Sequence, residues 1–188
     1  MIHIYGHTWP IRWGDALERK LVKVYSNCET VELFVNGRSQ GVKKRNSQDF
    51  PAAGLRWMVQ LAPQNRVQAV GRKNGRTVED EIHFQYQTQK WSKPAQLALR
   101  ELARQEDAAT IEARILDGNE VLCLDARNQV RFAIAGDGTL IDDLGTVTGS
   151  RVLELYNGRA TITLKRNGGK SQVSVSSKDV PSAFLEIG

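Results

Sequence analysis

The sequence predicts an all-β protein made of two antiparallel β-sandwiches in tandem. Along most of the 188 residues, apolar side chains recur at every second position, which is the period of a half-buried strand. Asn-Gly and Asp-Gly pairs separate these runs, as hairpin turns do. No long segment has the spacing of an amphipathic helix. Strands of this kind bury one face each, so two sheets of them stabilise one another by packing face to face.

In the first half of the chain the alternation predicts several short strands. The clearest runs are 21–25, 31–35, 55–61, 67–72 and 77–84. Asn36-Gly37 and Asn74-Gly75 mark two hairpins, because both residue types accept the positive φ angles of tight turns. Trp57 alternates in phase with apolar neighbours on its run, so we expect it in the core of the first sandwich.

A polar stretch that ends at Pro94 predicts a linker over residues 89–94. The linker separates a first domain of residues 18–88 from a C-terminal domain of residues 95–188. Residues 96–102 also fit a short helix, but the surrounding pattern favours a strand. The other predicted strands are 110–116, 121–124, 130–135, 152–156, 160–164, 172–175 and 183–187, and the predicted turns include 135–138, 156–158 and 166–169.

The first 17 residues follow a different pattern, in which the strand alternation is absent. Five ring-bearing side chains crowd into this segment: His3, Tyr5, His7, Trp9 and Trp13. A segment this apolar and this short cannot build a core of its own. We therefore expect residues 1–17 to form a strap that packs on a neighbour or continues from a preceding domain.

Composition excludes several classes of function. The formal net charge is +5, but the basic residues scatter in twos and threes among acidic clusters, so no nucleic-acid partner is expected. No apolar run approaches the roughly 20 residues that span a bilayer, so no membrane partner is expected. The amino terminus lacks the features of a signal peptide, and in a longer secreted protein the signal would lie upstream. Cys28 and Cys123 lie in apolar contexts and are expected to be free thiols, with an interdomain disulfide as the alternative.

Trp91 lies in the predicted linker, where we expect it to wedge between the domains.

No metal site and no cofactor is predicted. His3 and His7 are four residues apart, but without a helix nothing in the pattern places them on one face. Asp137, Asp142 and Asp143 offer oxygen ligands suited to calcium, yet the EF-hand spacing is absent. Because aspartate is common in turns for its own hydrogen bonding, we expect turn roles for all three.

Residues 5–10 (Tyr-Gly-His-Thr-Trp-Pro) and 24–41 (with Tyr-Ser-Asn-Cys, Val-Glu-Leu and Asn-Gly in order) closely resemble the segment just after the catalytic barrel of glycoside hydrolase family 2. That family includes β-galactosidases and β-glucuronidases. Residues 130–138, 142–146 and 156–160 resemble its C-terminal immunoglobulin-like domain. Together the resemblance covers nearly the whole chain.

The resemblance implies two immunoglobulin-like sandwiches that serve as non-catalytic accessory domains of a retaining β-glycosidase. They would brace its catalytic barrel, which lies upstream in the same polypeptide, and shape substrate access. The family's two catalytic glutamates lie in that barrel, so no catalytic residue is carried over to this chain. The resemblance places His7, Trp9 and Trp13 just after the barrel, so these three are the candidates for contact with sugar, the tryptophans because aromatic faces stack on pyranose rings. The alternative is a carbohydrate-binding module that anchors the enzyme to polysaccharide. The implied location of the parent protein is the periplasm or the cell exterior.

Overall fold

The computed structural model describes residues 1–46, 54–141 and 151–188. Within these ranges the long regular elements are all β-strands, so the predicted all-β class is confirmed. The chain divides into a first unit, Met1–Lys90, and a second unit, Trp91–Gly188. The described ranges contain no helix long and apolar enough to cross a membrane.

Two sheets form the first unit. Its strands are β1 (Ile2–Ile4), β2 (Ile11–Trp13), β3 (Lys20–Ser26), β4 (Thr30–Val35), β5 (Arg38–Lys44), β6 (Leu55–Val59), β7 (Gln64–Lys73) and β8 (Arg76–Gln87). One sheet has the order β1-β3-β6 and the other the order β2-β8-β7-β4-β5. The β2–β8 pair is parallel, which departs from the purely antiparallel prediction. The reason is that residues 5–10 carry the chain from one sheet to the other rather than back along a hairpin.

Alternate side chains of both sheets fill the core of the first unit. The buried set is Ile4, Val22, Val24, Cys28, Val31, Leu33, Val35, Trp57, Val59, Val67, Ala69, Ile82 and Phe84. Trp57 is 3% exposed, which confirms its predicted core position, and its Nε1 donates to the Gly41 carbonyl at 3.1 Å. Positive φ angles at Asn36-Gly37 and Asn74-Gly75 confirm both predicted hairpin turns.

The first 17 residues, in which no strand was expected, contribute β1 and β2 to the two sheets. Three-residue strands are too short to show a period of two, so the alternation could not reveal them. Ile4 is fully buried and Ile11 nearly so. These residues therefore pack as part of the first unit.

The second unit is one connected antiparallel ladder. Its strands are β9 (Pro94–Arg104), β10 (Ala108–Asp117), β11 (Gln129–Ile141), β12 (Val152–Glu154), β13 (Arg159–Ser177) and β14 (Val180–Ile187). The order is β12-β11-β13-β10-β9, with β14 also paired to β13. The preference for a strand over a helix at residues 96–102 is confirmed. Side chains from β9, β10, β11, β13 and β14 meet in one buried cluster, which includes Phe132, Ile162 and Val173.

Two of the predicted turns are wrong, because β11 and β13 run through residues 135–138 and 166–169 without a break. The ladder between the two strands shifts register between Gly136 and Gly138, and Gly136 and Gly168 have φ angles of 102° and 98°. Glycine at such angles lets a strand bulge and bend instead of ending. The amino-terminal half of β13 pairs with β10 and its carboxy-terminal half with β14. The bend thus lets the two halves of one strand pair with different neighbours.

The predicted strand over residues 121–124 is a buried loop with a single bridge between Leu116 and Leu122. The backbone there bonds to Asp117 and, through the Cys123 N–H, to the Ile115 carbonyl of β10, so these bonds satisfy it without a full ladder. Trp91 packs on the core of the second unit and its Nε1 donates to Asp125. Asp137 accepts from the Gly169 N–H at 2.8 Å. The predictions on Asp142 and Asp143 lie outside the described residues.

Candidate functional site

The turn between β1 and β2 carries two of the three candidate sugar-contact residues, His7 and Trp9. Gly6 has a φ of 96°, and the Trp9 N–H donates to its carbonyl at 3.2 Å, which closes the turn. Arg12 supports it from the next strand, because its Nη2 donates to the same carbonyl at 3.0 Å. The Arg12 guanidinium in turn lies 3.9 Å from the centre of the Phe84 ring. The turn thereby places His7 beside β1.

His7 lies against His3, with ring centroids 4.7 Å apart and planes inclined by 10°. Asp80 of β8 completes the group, which we call the His3–His7–Asp80 cluster. Its Oδ2 lies 2.7 Å from Nε2 of His7 and 3.9 Å from Nδ1 of His3. From the sequence no common face was expected for the two histidines, because only a helix was considered. A short strand followed by a tight turn brings them together just as well.

Asp80 is held in place by its surroundings. The backbone N–H of Ile4 donates to Oδ2 at 2.6 Å. Partial burial acts to raise the pKa of Asp80, but the hydrogen bonds from Ile4 and His7 outweigh it, so the pKa lies below its ordinary value. The carboxylate is therefore ionised at neutral pH.

Sequence reasoning missed Asp80, because it lies in the acidic run Glu79-Asp80-Glu81, which has no recognisable motif. A signal was nevertheless present in the alternation. Asp80 shares its phase on β8 with the buried Ile82 and Phe84, so its side chain points toward the side of the sheet on which β1 lies.

The exposed aromatic side chains around this turn are arranged edge to face. Tyr5 meets Trp9 at 5.4 Å with planes inclined by 85°, and meets Tyr25 at 6.5 Å with planes inclined by 78°. Trp13 lies on β2, where Lys90 Nζ is 5.6 Å from its ring centre. Tyr5, Trp9 and Trp13 are each between 39% and 51% exposed. This arrangement is an apolar surface of mixed orientation, not a flat platform of coplanar rings.

A shallow groove of about 440 Å³ lies on the same unit, lined by residues that include Pro10, Asn65 and Phe84. Two of the polar side chains along it, those of Asn36 and Asn65, are already engaged in the fold. Asn65 holds its own loop through the N–H and carbonyl of Ala62, and Asn36 Oδ1 accepts from the Arg66 N–H. The groove therefore offers few groups for orienting a ligand.

Neither cysteine has the environment of a nucleophile. Both are free and buried. Burial, together with the nearby carboxylates of Asp117 and Asp125, raises the pKa of the Cys123 thiol to about 11. Since the thiolate is the reactive form, Cys123 is inert at neutral pH.

Comparison with known proteins gives two family matches. Residues 18–79 match a model described as a domain of unknown function, DUF4982. Residues 100–186 match the model of glycoside hydrolase family 2 C-terminal domain 5.

Individual relatives agree with these matches. A crystal structure of a β-glucuronidase from Parabacteroides merdae is 54% identical over the whole chain, with a TM-score of 0.90. The apo structure of β-glucuronidase 3 from Bacteroides uniformis is 42% identical over the whole chain, with a TM-score of 0.88. The β-galactosidase BoGH2A of Bacteroides ovatus is 28% identical and also covers all of this chain. The chain spans only 22% to 24% of the length of these three proteins.

Proposed function

We propose that this chain, whose residues 100–186 match the model of glycoside hydrolase family 2 C-terminal domain 5, consists of two non-catalytic accessory domains of a β-glycosidase of the β-glucuronidase or β-galactosidase type. In this role they brace the catalytic barrel upstream in the same polypeptide and shape the approach of substrate. The proposal includes a periplasmic or extracellular parent protein, where β-linked polysaccharides are met.

The exposed aromatic surface of Tyr5, Trp9 and Trp13 is the observation that carries the bracing role. Several large aromatic side chains left exposed within a few residues of one another are typical of a surface that meets a partner. It lies on residues 5–13, in the segment that resembles the start of the post-barrel region. Of all the surfaces of the chain, this one would therefore follow an upstream barrel most directly along the polypeptide.

Carbohydrate binding is the second candidate, and the exposure of Trp9 and Trp13 favours it. A sugar-stacking platform needs rings that present their faces together. The rings of Tyr5 and Trp9 stand at 85° to each other, and Tyr5 and Tyr25 at 78°. We therefore rank bracing above binding for this surface.

The substitution Trp9→Ala in the parent enzyme separates the two roles. Under bracing, it lowers the temperature of half-inactivation of hydrolysis by several degrees more than it lowers the unfolding temperature of the isolated 188-residue chain. Phe184→Ala is the matched control, because Phe184 is an exposed aromatic residue of the second unit. Equal losses in parent and isolated chain would contradict bracing. Retention of the isolated chain on insoluble polysaccharide, abolished by Trp9→Ala, would establish the binding role instead.

A further inference from the structure

We propose that the His3–His7–Asp80 cluster is a binding site for a divalent transition-metal ion, for which zinc is the natural probe. One ligand atom from each of the three residues lies within 4.8 Å of the others. The inference stands apart from the accessory role proposed above, since none of its three residues belongs to the exposed aromatic surface of Tyr5, Trp9 and Trp13.

The donor set determines which ions fit. Two imidazole nitrogens and one carboxylate oxygen are ligands that zinc and its first-row neighbours prefer, whereas calcium and magnesium prefer sites built of oxygen alone. Three protein ligands leave a fourth position of a tetrahedral ion for water or for an oxygen or nitrogen of another molecule. The site thus belongs to the open class of zinc sites, not to the closed structural class.

The spacing of the donors suits one ion. Zinc bonds of about 2.0–2.2 Å place neighbouring ligand atoms about 3.3 Å apart in a tetrahedron. The contacts of Asp80 Oδ2 with Nε2 of His7, at 2.7 Å, and with Nδ1 of His3, at 3.9 Å, lie on either side of this value. The two rings are now nearly parallel, so they must tilt for their lone pairs to converge. The side chains of His3 and His7 are 50% and 36% exposed, which leaves them room to do so.

Two features hold the ligands in advance of binding. The Ile4 N–H, on β1 of the other sheet, orients the carboxylate of Asp80, as partners of metal ligands commonly do. Arg12 and Gly6 fix the turn that carries His7. A bound ion would replace the hydrogen bond between His7 and Asp80 and the stacking of the His3 and His7 rings. Both of these contacts lie at the surface. Desolvation therefore opposes binding only weakly.

Zinc titration of the 188-residue chain, freed of affinity tag and of metal, tests the proposal by calorimetry. We expect one zinc ion per chain and no detectable calcium binding under the same conditions. His3→Ala, His7→Ala and Asp80→Asn should each weaken the zinc affinity at least about tenfold. Copper and nickel are avoided because a free amino terminus two residues before His3 can bind those square-planar ions without His7 or Asp80.

His83→Ala is the matched control. His83 is the third histidine of the chain, is exposed on the same strand as Asp80, and contacts the carboxylate of Glu81 at 2.7 Å. It should leave zinc affinity unchanged. Binding that survives His7→Ala and Asp80→Asn, binding lost with His83→Ala, or no binding up to millimolar zinc would overturn the proposal. Circular dichroism of each variant, compared with the unsubstituted 188-residue chain, separates loss of a ligand from loss of the fold. If His7→Ala unfolds, His7→Gln replaces it.

Discussion

Glu112 lies in the middle of β10 with only 1% of its side chain exposed, between two arginines. Its Oε2 accepts from Arg100 Nε at 2.6 Å and its Oε1 from Arg159 Nη1 at 3.0 Å. The cross-strand register places Arg100 directly opposite Glu112 on β9. A buried carboxylate is tolerated only when it is paired in this way.

Glu112→Ala should therefore destabilise the second unit by about 2 kcal/mol, less than for a fully buried pair because Arg100 is half exposed. Denaturant unfolding of the chain, followed by a probe in the second unit, measures the difference. Glu154→Ala is the control, because Glu154 and Arg127 form an ion pair at the surface and such pairs contribute about 0–1 kcal/mol. Equal effects of the two substitutions would contradict this account of Glu112.

Asp117 secures the buried loop after β10. Its carboxylate accepts from the N–H groups of Ser92, Asn119 and Val121 at 2.8–2.9 Å, and from the Ser92 hydroxyl. The bond from the Ser92 N–H, followed by that from Val121, lowers the pKa of Asp117. A carboxyl group whose pKa is lower in the folded state than in the unfolded state stabilises the folded state. This stabilisation is fully present when the pH lies above the ordinary pKa of about 3.9. That stabilisation is lost as the pH falls through the lowered pKa.

Asp117→Asn should lower the urea midpoint of the second unit at pH 7. It should also reduce the further fall in that midpoint between pH 7 and pH 3, because the titrating group is gone. Asp107→Asn, at an exposed position, is the control and should change neither value. If the urea midpoint of Asp117→Asn fell between pH 7 and pH 3 as much as that of the unsubstituted chain, the role of Asp117 would be refuted.

At the scale of single residues, the sequence predicts core positions well and the polar cluster poorly. Trp57 is placed correctly because its burial follows from local alternation alone. The meeting of Asp80 with His3 and His7 depends on pairing between segments more than 70 residues apart, which no local pattern contains. The tight turn at Gly6, which decides where His7 lies, is also invisible to a rule that looks for helices.

At the scale of elements, β11 and β13 show why strand ends are harder to predict than strands. Gly136, Gly138, Gly168 and Gly169 read as turn residues, since glycine accepts the φ angles that turns need. The same freedom lets a strand bend and continue. Only the ladder partners decide between these outcomes, and those partners lie on distant segments.

Gly136→Ala should destabilise the second unit by about 2 kcal/mol or more. The φ of 102° is strained for alanine, and a Cβ there would lie 2.4 Å from the Lys170 carbonyl oxygen. Gly168→Ala, with a φ of 98° but open space around it, should cost less because only the backbone term applies. Gly118→Ala meets nothing within 4 Å and is the control. Thermal unfolding ranks the three variants, and any other order would show that the bend is not set by Gly136.

At the scale of the whole molecule, each unit has its own buried core. The carboxylates that are buried among the described residues, Glu112 and Asp117, are both committed to structure. A retaining glycosidase needs a nucleophile and an acid about 5 Å apart and free to react. Under the accessory role proposed above, the isolated 188-residue chain should not release nitrophenol from nitrophenyl β-glucuronide or β-galactoside.

An active family 2 β-glucuronidase, assayed beside the chain at equal concentration, shows that the assay works. Turnover that persists through a second purification and disappears on replacement of one Asp or Glu of this chain would contradict a non-catalytic role.

The continuous strand β13 has a consequence for the order in which the second unit folds. Its first residues need β10, some 50 positions earlier in the chain, and its last residues need β14, which follows it directly. Contacts between distant segments form slowly, because a long loop must close before any pairing rewards it. The hairpin of β13 and β14 can therefore form early. This hairpin cannot become stable until β10 and β11 have paired with β13. The part of the sheet around β14 and the part around β10 are therefore completed together.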